Sequence, residues 1–112
     1  MDSDSAVRSF AALAQASRLA AFRLLVQAGE PGLSAGEIAR ELGVPHNTLS
    51  THLAILARAG MVRGRREGRS IIYSVDFDGT RSLLAFLLED CCRGEPELCN
   101  PAIESALPAC CG

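Results

Sequence analysis

The chain has 112 residues, of which 48% are hydrophobic, and its formal net charge is −2 at pH 7. This length fits one domain, and the apolar content is enough for a core, which excludes a disordered chain. The longest apolar run, residues 83–88, is far shorter than the ~20 residues that span a bilayer, and the chain starts without an export signal. We therefore expect a cytoplasmic protein with no membrane partner.

Two helices are predicted in the first third of the chain. Residues 4–14 carry Val7, Phe10 and Leu13 at helical spacing, which predicts the first of them. A second helix is expected to open at residue 15 or 17 and to end before Gly29. Its apolar stripe is expected to pack into the core and consists of Leu19, Phe22, Leu25 and Val26.

Two short helices joined by a tight turn are predicted next. Ser34-Ala35-Gly36-Glu37 is a capping box, which indicates the start of a helix that ends at Gly43. Pro45 is typical of a first helical position and opens the following helix, over residues 46–59. The inner face of that helix is expected to carry Leu49, Leu53 and Leu56.

Beyond residue 60 the apolar residues recur at every second position, as they do in a β-strand. Residues 61–65 and 70–75 flank a turn in which Gly68 can take a positive φ, and this pattern predicts a hairpin. The last helix, at about residues 80–91, is apolar almost all round, so we expect a second copy of the chain to cover it. Residues 1–92 thus form one domain, and residues 93–112 form a cysteine-containing tail.

This order of elements predicts a mainly α-helical winged helix-turn-helix, with about five helices and a two-stranded wing. In such a motif the second helix of the pair enters the DNA major groove with its first residues nearest the base edges. The exposed face of that helix offers hydrogen-bonding groups for bases and phosphates: His46, Asn47, Thr48, Ser50 and Thr51.

The predicted wing is rich in arginine. Guanidinium groups on a wing would lie along DNA phosphates and supply salt-dependent affinity. His52 lies between two leucines of the second helix of the pair, and we expect it to be a half-buried structural residue and not a ligand or a catalyst. The candidate phosphate contacts are Arg63, Arg65, Arg66 and Arg69.

The run LGVPHNTLSTHL at residues 42–53, followed by Leu56, Ala59-Gly60, Arg66-Glu67-Gly68-Arg69 and Tyr73, resembles the ArsR/SmtB metal-responsive repressors. The resemblance covers residues 8–92. It implies a homodimer that binds a palindromic operator in double-stranded DNA and is released when an ion binds. An arginine that the family often carries is replaced by Thr51, so the resemblance also implies that one phosphate contact is missing.

All five cysteines lie in the last 22 residues, within an acidic segment. Residues 89–112 hold one arginine against five acids, whereas residues 1–88 hold ten arginines against eight acids. Cys91, Cys92 and Cys99 supply three thiolates without an imidazole, which suits a soft ion. Trivalent arsenic or antimony needs only three ligands, whereas zinc normally takes four. The tail is similar to that of a variant group within the family that senses arsenite through C-terminal cysteines.

The family's other known ligand sites are absent. Where the best-known arsenic sensors carry a Cys-x-Cys pair, this chain has Ser34-Ala35-Gly36, and its last helix lacks the histidine used for zinc or nickel. Two alternatives stay open for the tail. Cys110 and Cys111 could complete a four-sulfur site for zinc, cadmium or lead. Alternatively, Cys99 could close a disulfide on Cys91 or Cys92.

A different class of function is a thiol-rich metalloid carrier, or a winged-helix interaction module, that never contacts DNA. Either would leave the polar helix start at His46 and Asn47 and the arginine wing without a role. An enzyme is not expected, because the sequence suggests no nucleophile with a nearby base and no glycine-rich phosphate loop.

Overall fold

The structure, a computed structural model, describes residues 1–88, and in this part of the chain it contains five helices and one three-stranded antiparallel sheet. The predicted winged helix-turn-helix is confirmed. In chain order the elements are α1 (Ser3–Leu13), α2 (Ala16–Ala28), β1 (Leu33–Ser34), α3 (Ala35–Leu42), α4 (His46–Arg58), β2 (Val62–Glu67), β3 (Ser70–Val75) and α5 (Phe77–Leu88).

The sheet has one strand more than the expected two-stranded wing. β2 and β3 form the predicted hairpin, and the two-residue strand β1 pairs with the other edge of β3, with Leu33 opposite Tyr73. Gly32 makes this pairing possible, because its φ is +69° and a Cβ there would collide with the Tyr73 carbonyl. A strand of two residues carries no alternating pattern, so the sequence gives no sign of it.

The start of α3 follows the predicted capping box in part. The Ser34 hydroxyl accepts a hydrogen bond from the Glu37 N–H at 3.2 Å. The same hydroxyl donates a hydrogen bond to the Glu37 carboxylate at 3.1 Å. α3 ends at Gly43, whose φ of +65° lies in the left-handed region, and Pro45 stands immediately before α4 rather than at its first position.

The core forms where α2, α3 and α4 meet the base of the sheet. The three leucines predicted for the inner face of α4 are fully buried, and they pack with Leu25, Ile38, Met61 and Val75. The expectation for α2 is wrong in two places, because Leu19 and Val26 are each 45% exposed. The inner face of α2 runs through Ala21 and Leu25, one helical turn apart, and this leaves the other two side chains on the outside.

α1 packs on α4 through small residues. Ala6, Ser9 and Ala12 are buried, and the Ser9 hydroxyl donates to the Ala59 carbonyl at 3.2 Å. The larger apolar side chains of this helix point away from the core, with Val7 64% exposed and Phe10 42% exposed. α1 therefore presents an apolar outer face.

α5 begins about three residues earlier than expected. The Asp76 carboxylate accepts a hydrogen bond from the Gly79 N–H at 3.0 Å, and the Thr80 hydroxyl donates to the Asp76 carbonyl. Leu83 is the buried residue of this helix. The predicted end of the helix near residue 91 and the predicted tail lie outside the described residues.

Within residues 1–88, no single helix is both long and apolar enough to cross a membrane. α1 and α2 pass that test of length and composition only when they are taken together, and the chain bends by 96° between them.

Replacement of glycine by alanine should have opposite effects on stability at two positions within helices. A Cβ on Gly79 would collide with the Gly60 carbonyl, whereas a Cβ on Gly36 would make ordinary contacts at 3.9 Å. We expect Gly79→Ala to lower the free energy of unfolding by about 1–3 kcal/mol, because α5 must shift. The matched variant Gly36→Ala should be neutral or stabilising by up to about 1 kcal/mol. Denaturant unfolding followed by circular dichroism measures both, and equal stabilisation would contradict the close packing of α5 on Gly60.

Candidate nucleic-acid interface

The outward face of α4 consists of polar side chains. Burial of Leu49, Leu53 and Leu56 fixes the rotation of the helix, and the opposite side therefore faces solvent. The candidate base-contacting residues lie there: His46, Asn47, Thr48 and Thr51 are exposed, and Ser50 is half-buried. The Thr51 hydroxyl donates to the Asn47 carbonyl at 3.3 Å, so its oxygen remains available to accept a hydrogen bond.

The first turn of α4 has no side-chain cap. Pro45 precedes the helix and has no side-chain acceptor, so the first N–H groups are left for solvent or for a ligand. The helix dipole adds partial positive charge at this end, which favours a phosphate. The reading end of α4 is thus both polar and electropositive.

An open cleft of about 350 Å³ brings the start of α4 together with the tip of the wing. His46 and Ser50 line it from α4, and Arg69 lines it from the hairpin turn. Ile71 and Tyr73 of β3 complete the wing side, and residues 34–36 lie beneath it. Groups able to contact bases and a group able to contact phosphate therefore share one concave surface.

The four candidate arginines of the wing do not lie on the same face. Arg66 pairs with Ile71 across the hairpin, and directly paired residues project to the same side of a sheet. Since Ile71 lines the cleft, Arg66 belongs to the face toward α4. Arg63 and Arg65 alternate with it and belong to the opposite face.

Arg65 also differs from the others in its contacts. Its Nε lies 3.0 Å from the Glu67 carboxylate. Its terminal nitrogens donate to the carbonyls of Pro31 at 3.0 Å and Glu30 at 3.4 Å. These bonds tie the loop before β1 to the hairpin, a structural role that spacing in the sequence does not reveal.

His52 is half-buried, as expected for a structural residue. Its Nδ1 lies 3.4 Å from Nη1 of Arg18. Arginine can only donate, so this ring nitrogen accepts the hydrogen bond. Arg18 also donates to the carbonyls of Ala12 at 2.6 Å and Ala11 at 3.4 Å, at the end of α1. Sequence reasoning missed Arg18, although a basic residue just beyond a helix end often binds the last carbonyls.

No predicted metal ligand falls in the described part of the chain. Residues 1–88 contain no group of three or more His, Cys, Asp or Glu side chains arranged to hold a metal ion. The candidate ligands Cys91, Cys92 and Cys99 lie outside the described residues, and so do Cys110 and Cys111.

Comparison with known proteins places these elements among transcriptional regulators. A family model described as a helix-turn-helix domain matches residues 13–65, which contain α2, α3 and α4. The transcriptional regulator YgaV of Escherichia coli is 33% identical over 57% of this chain, which spans 65% of that relative's length. An uncharacterized transcriptional regulator of Bacillus subtilis, YceK, is 34% identical over 78% of this chain and 88% of its own length.

Three solved structures have the same fold. The homodimeric winged helix-turn-helix domain of Mb0332 from Mycobacterium bovis, a possible ArsR-family regulator, is 27% identical with a TM-score of 0.64 and covers 91% of this chain and 84% of its own. An ArsR-like regulator from Rhodococcus sp. RHA1 is 26% identical with a TM-score of 0.68 and covers 92% of both chains. A possible transcriptional regulator for arsenical resistance is 27% identical with a TM-score of 0.60 and covers 68% of this chain and 76% of its own. All five similar proteins are described as regulators or possible regulators, which confirms the expectation that the chain is not an enzyme.

Proposed function

We propose that this chain, a member of the ArsR/SmtB family of helix-turn-helix transcriptional regulators, is an arsenite-responsive repressor. A homodimer binds a palindromic operator in double-stranded DNA, and trivalent arsenic or antimony releases it by binding Cys91, Cys92 and Cys99. The observation that carries DNA binding is the cleft in which the polar start of α4 meets the tip of the wing.

Contacts to DNA divide between α4 and the hairpin. The first turns of α4 carry side chains that can bond base edges, and the major groove is wide enough for a helix. Arg66 and Arg69 lie on the side of the wing that faces α4, so they can reach phosphates beside the groove that the helix occupies. Arg63 and Arg65 remain candidates for phosphates on the far side of the wing.

The homodimer is supported by an apolar surface that is exposed within residues 1–88. α5 presents Leu84, Leu87 and Leu88 with exposed fractions of 51%, 52% and 42%, and it packs beside α1. Val7 and Phe10 extend this surface onto α1. Contiguous exposed apolar side chains of this kind mark an interaction surface. The second copy supplies an identical face, as a two-fold dimer requires.

The sensor argument rests on the chemistry of the tail and on its place in the sequence. Three thiols replace the three hydroxyls of arsenous acid and release three waters. The bound arsenic then has three As–S bonds and needs no further ligand. Cys91 follows the described end of α5 by three residues. A ligand that gathers the three sulfurs there acts next to the proposed dimer surface. The similar solved structure described as a possible transcriptional regulator for arsenical resistance also supports this inducer.

Release from DNA follows from a change in the distance between the α4 helices of the two subunits. A palindromic operator presents its half-sites about one helical turn apart, which fixes the separation that the dimer must adopt. An inducer that favours another separation lowers DNA affinity by its coupling free energy. A coupling of about 1–3 kcal/mol weakens binding by about 5- to 150-fold.

The wing arginines should differ in their effect on DNA affinity. We expect Arg66→Gln and Arg69→Gln each to weaken binding to the DNA upstream of the chain's own gene by about tenfold. Each should also lower the slope of log affinity against log salt by about 1, because one phosphate contact is lost. Fluorescence anisotropy at several salt concentrations measures both quantities. Arg63→Gln, on the opposite face of the wing, is the matched comparison and should lose less affinity, so a larger loss there would contradict the proposed orientation.

The apolar surface of α5 should control the oligomeric state. We expect Leu84→Glu to convert the dimer to a monomer, because two charges would be buried across the two-fold axis without partners. Sedimentation velocity detects the change, and operator binding should fall with it. Val26→Glu on α2 is the matched control, since Val26 is 45% exposed but lies outside the proposed surface. A dimer that survives Leu84→Glu and dissociates with Val26→Glu would place the interface elsewhere.

The cysteines should control release. We expect arsenite to dissociate the wild-type complex, and Cys91→Ser, Cys92→Ser and Cys99→Ser each to suppress that release. Cys110→Ser and Cys111→Ser should leave it intact and serve as controls. Undiminished release in all three test variants would exclude the proposed site.

Parallel titrations separate the alternatives. Release by cadmium, lead or zinc but not by arsenite would indicate a four-sulfur metal site, and release by peroxide alone would indicate a thiol switch. Arsenite binding by a protein that has no affinity for DNA would indicate a carrier.

A further inference from the structure

A second concave surface lies at the opposite end of α4 from the DNA-reading cleft. This groove, of about 440 Å³, runs between α1, the start of α2 and the second half of α4. Arg8, Arg18 and Arg58 line it, and we call it the arginine groove. Its apolar part consists of Ala11, Ala12, Ile55 and Ala59.

The three arginines give the groove a positive charge. Among residues 1–88, no acidic side chain lines the groove. Within residues 1–88 the salt bridges join Arg65 to Glu67 and Arg81 to Asp78, and none involves an arginine of the groove. The pKa of Asp2 is lowered chiefly by hydrogen bonds from Ser5 and to a smaller degree by Arg8, but Asp2 does not line the groove.

Arg18 is already held in position by the fold. Its Nε donates to the Ala12 carbonyl, and its two terminal nitrogens contact the Ala11 carbonyl and His52. These bonds use three of the five N–H groups of a guanidinium, which leaves two for a ligand. Because these bonds already hold the Arg18 side chain in one conformation, an anion that binds it costs little further side-chain entropy.

The apolar part of the groove selects the kind of anion. A phosphate or sulfate would bind the guanidinium groups but leave Ala11, Ile55 and Ala59 in contact with water. A carboxylate with an apolar body satisfies both halves, since its charged end pairs with arginine and its body covers apolar surface. We infer that the arginine groove binds a small organic carboxylate whose apolar body is an aromatic ring or a short alkyl chain.

The position of the groove separates it from the proposed DNA contacts. Arg58 follows His46 by twelve residues, which is about 18 Å along the axis of α4. A ligand in the groove would add contacts between α1 and α4, which are joined in the structure by the bond from Ser9 to Ala59. Its binding should therefore raise the thermal stability of the protein whether or not the chain binds DNA.

The test uses the full-length chain, with benzoate and hexanoate as probes and with acetate, inorganic phosphate and chloride at matched ionic strength. We expect a saturable rise in Tm with the first two probes and none with the other three. Isothermal titration calorimetry should show benzoate affinity falling about tenfold in Arg58→Gln and in Arg8→Gln. Arg23→Gln is the matched control, because Arg23 is an exposed arginine of α2 that does not line the groove.

Four outcomes would overturn the inference. The first is no saturable effect of benzoate or hexanoate, and the second is an equal effect of acetate or phosphate, which would indicate general anion binding. The third is benzoate affinity that rises in the double variant Glu95→Gln/Glu97→Gln, which would assign the groove to the chain's own acidic segment. The fourth is loss of DNA affinity in Arg8→Gln or Arg58→Gln without any ligand, which would assign the arginines to DNA. Because calorimetry and Tm need no DNA, failure here is distinguishable from failure of the proposed repressor function.

Discussion

Burial of Leu49, Leu53 and Leu56 on one side of α4 fixes the place of every polar residue that this helix contributes to the candidate interface. Full burial of a leucine side chain stabilises a protein by roughly 1.5–3 kcal/mol, so three such residues hold the helix firmly against rotation. A rotation by one residue, about 100°, would expose leucine and bury polar groups without partners. The polar face of α4 is therefore a consequence of the core, and its residue types are free to vary with the DNA that is read.

The wing depends on a different constraint, the anchoring of its base. Val62 and Val75 face each other across the hairpin and are both buried, while the tip is exposed. On the other edge, Gly32 lets β1 approach Tyr73 closely. The hydrogen bonds of Arg65 to the preceding loop add a third attachment. The base is thus fixed at three points, and only the tip with Arg69 is left without such attachments.

Sequence reasoning identified the parts of the fold that local interactions determine. The cap at Ser34, the helix end at Gly43 and the buried leucines of α4 each depend on neighbours a few residues away, and the sequence predicts each of them correctly. β1 and the role of Arg65 could not be predicted, because both depend on segments more than 30 residues apart. For the candidate interface, the sequence provided the side chains, but only the hairpin register divides the wing arginines between two faces.

The apolar stripes show the other limit of sequence reasoning. Periodicity identifies which side of a helix is apolar, but it does not identify what covers that side. In α2 the stripe was assigned to the core, although Leu19 and Val26 lie outside it. In α1 the large apolar residues face outward, and small ones face α4.

The outward direction of the large apolar residues of α1 bears on how the proposed repressor transmits a signal. Ala6, Ser9 and Ala12 let α1 approach α4 closely but bury little apolar area, so the contact between these helices is close and weakly stabilised. In the proposed homodimer, the outer face of α1 would place its large apolar side chains, Val7 and Phe10, against the partner. A change at the dimer surface would then displace α1 more readily than it would disturb the core. Since α1 contacts both α5 and α4, it is one element through which a ligand beyond α5 can alter the position of α4.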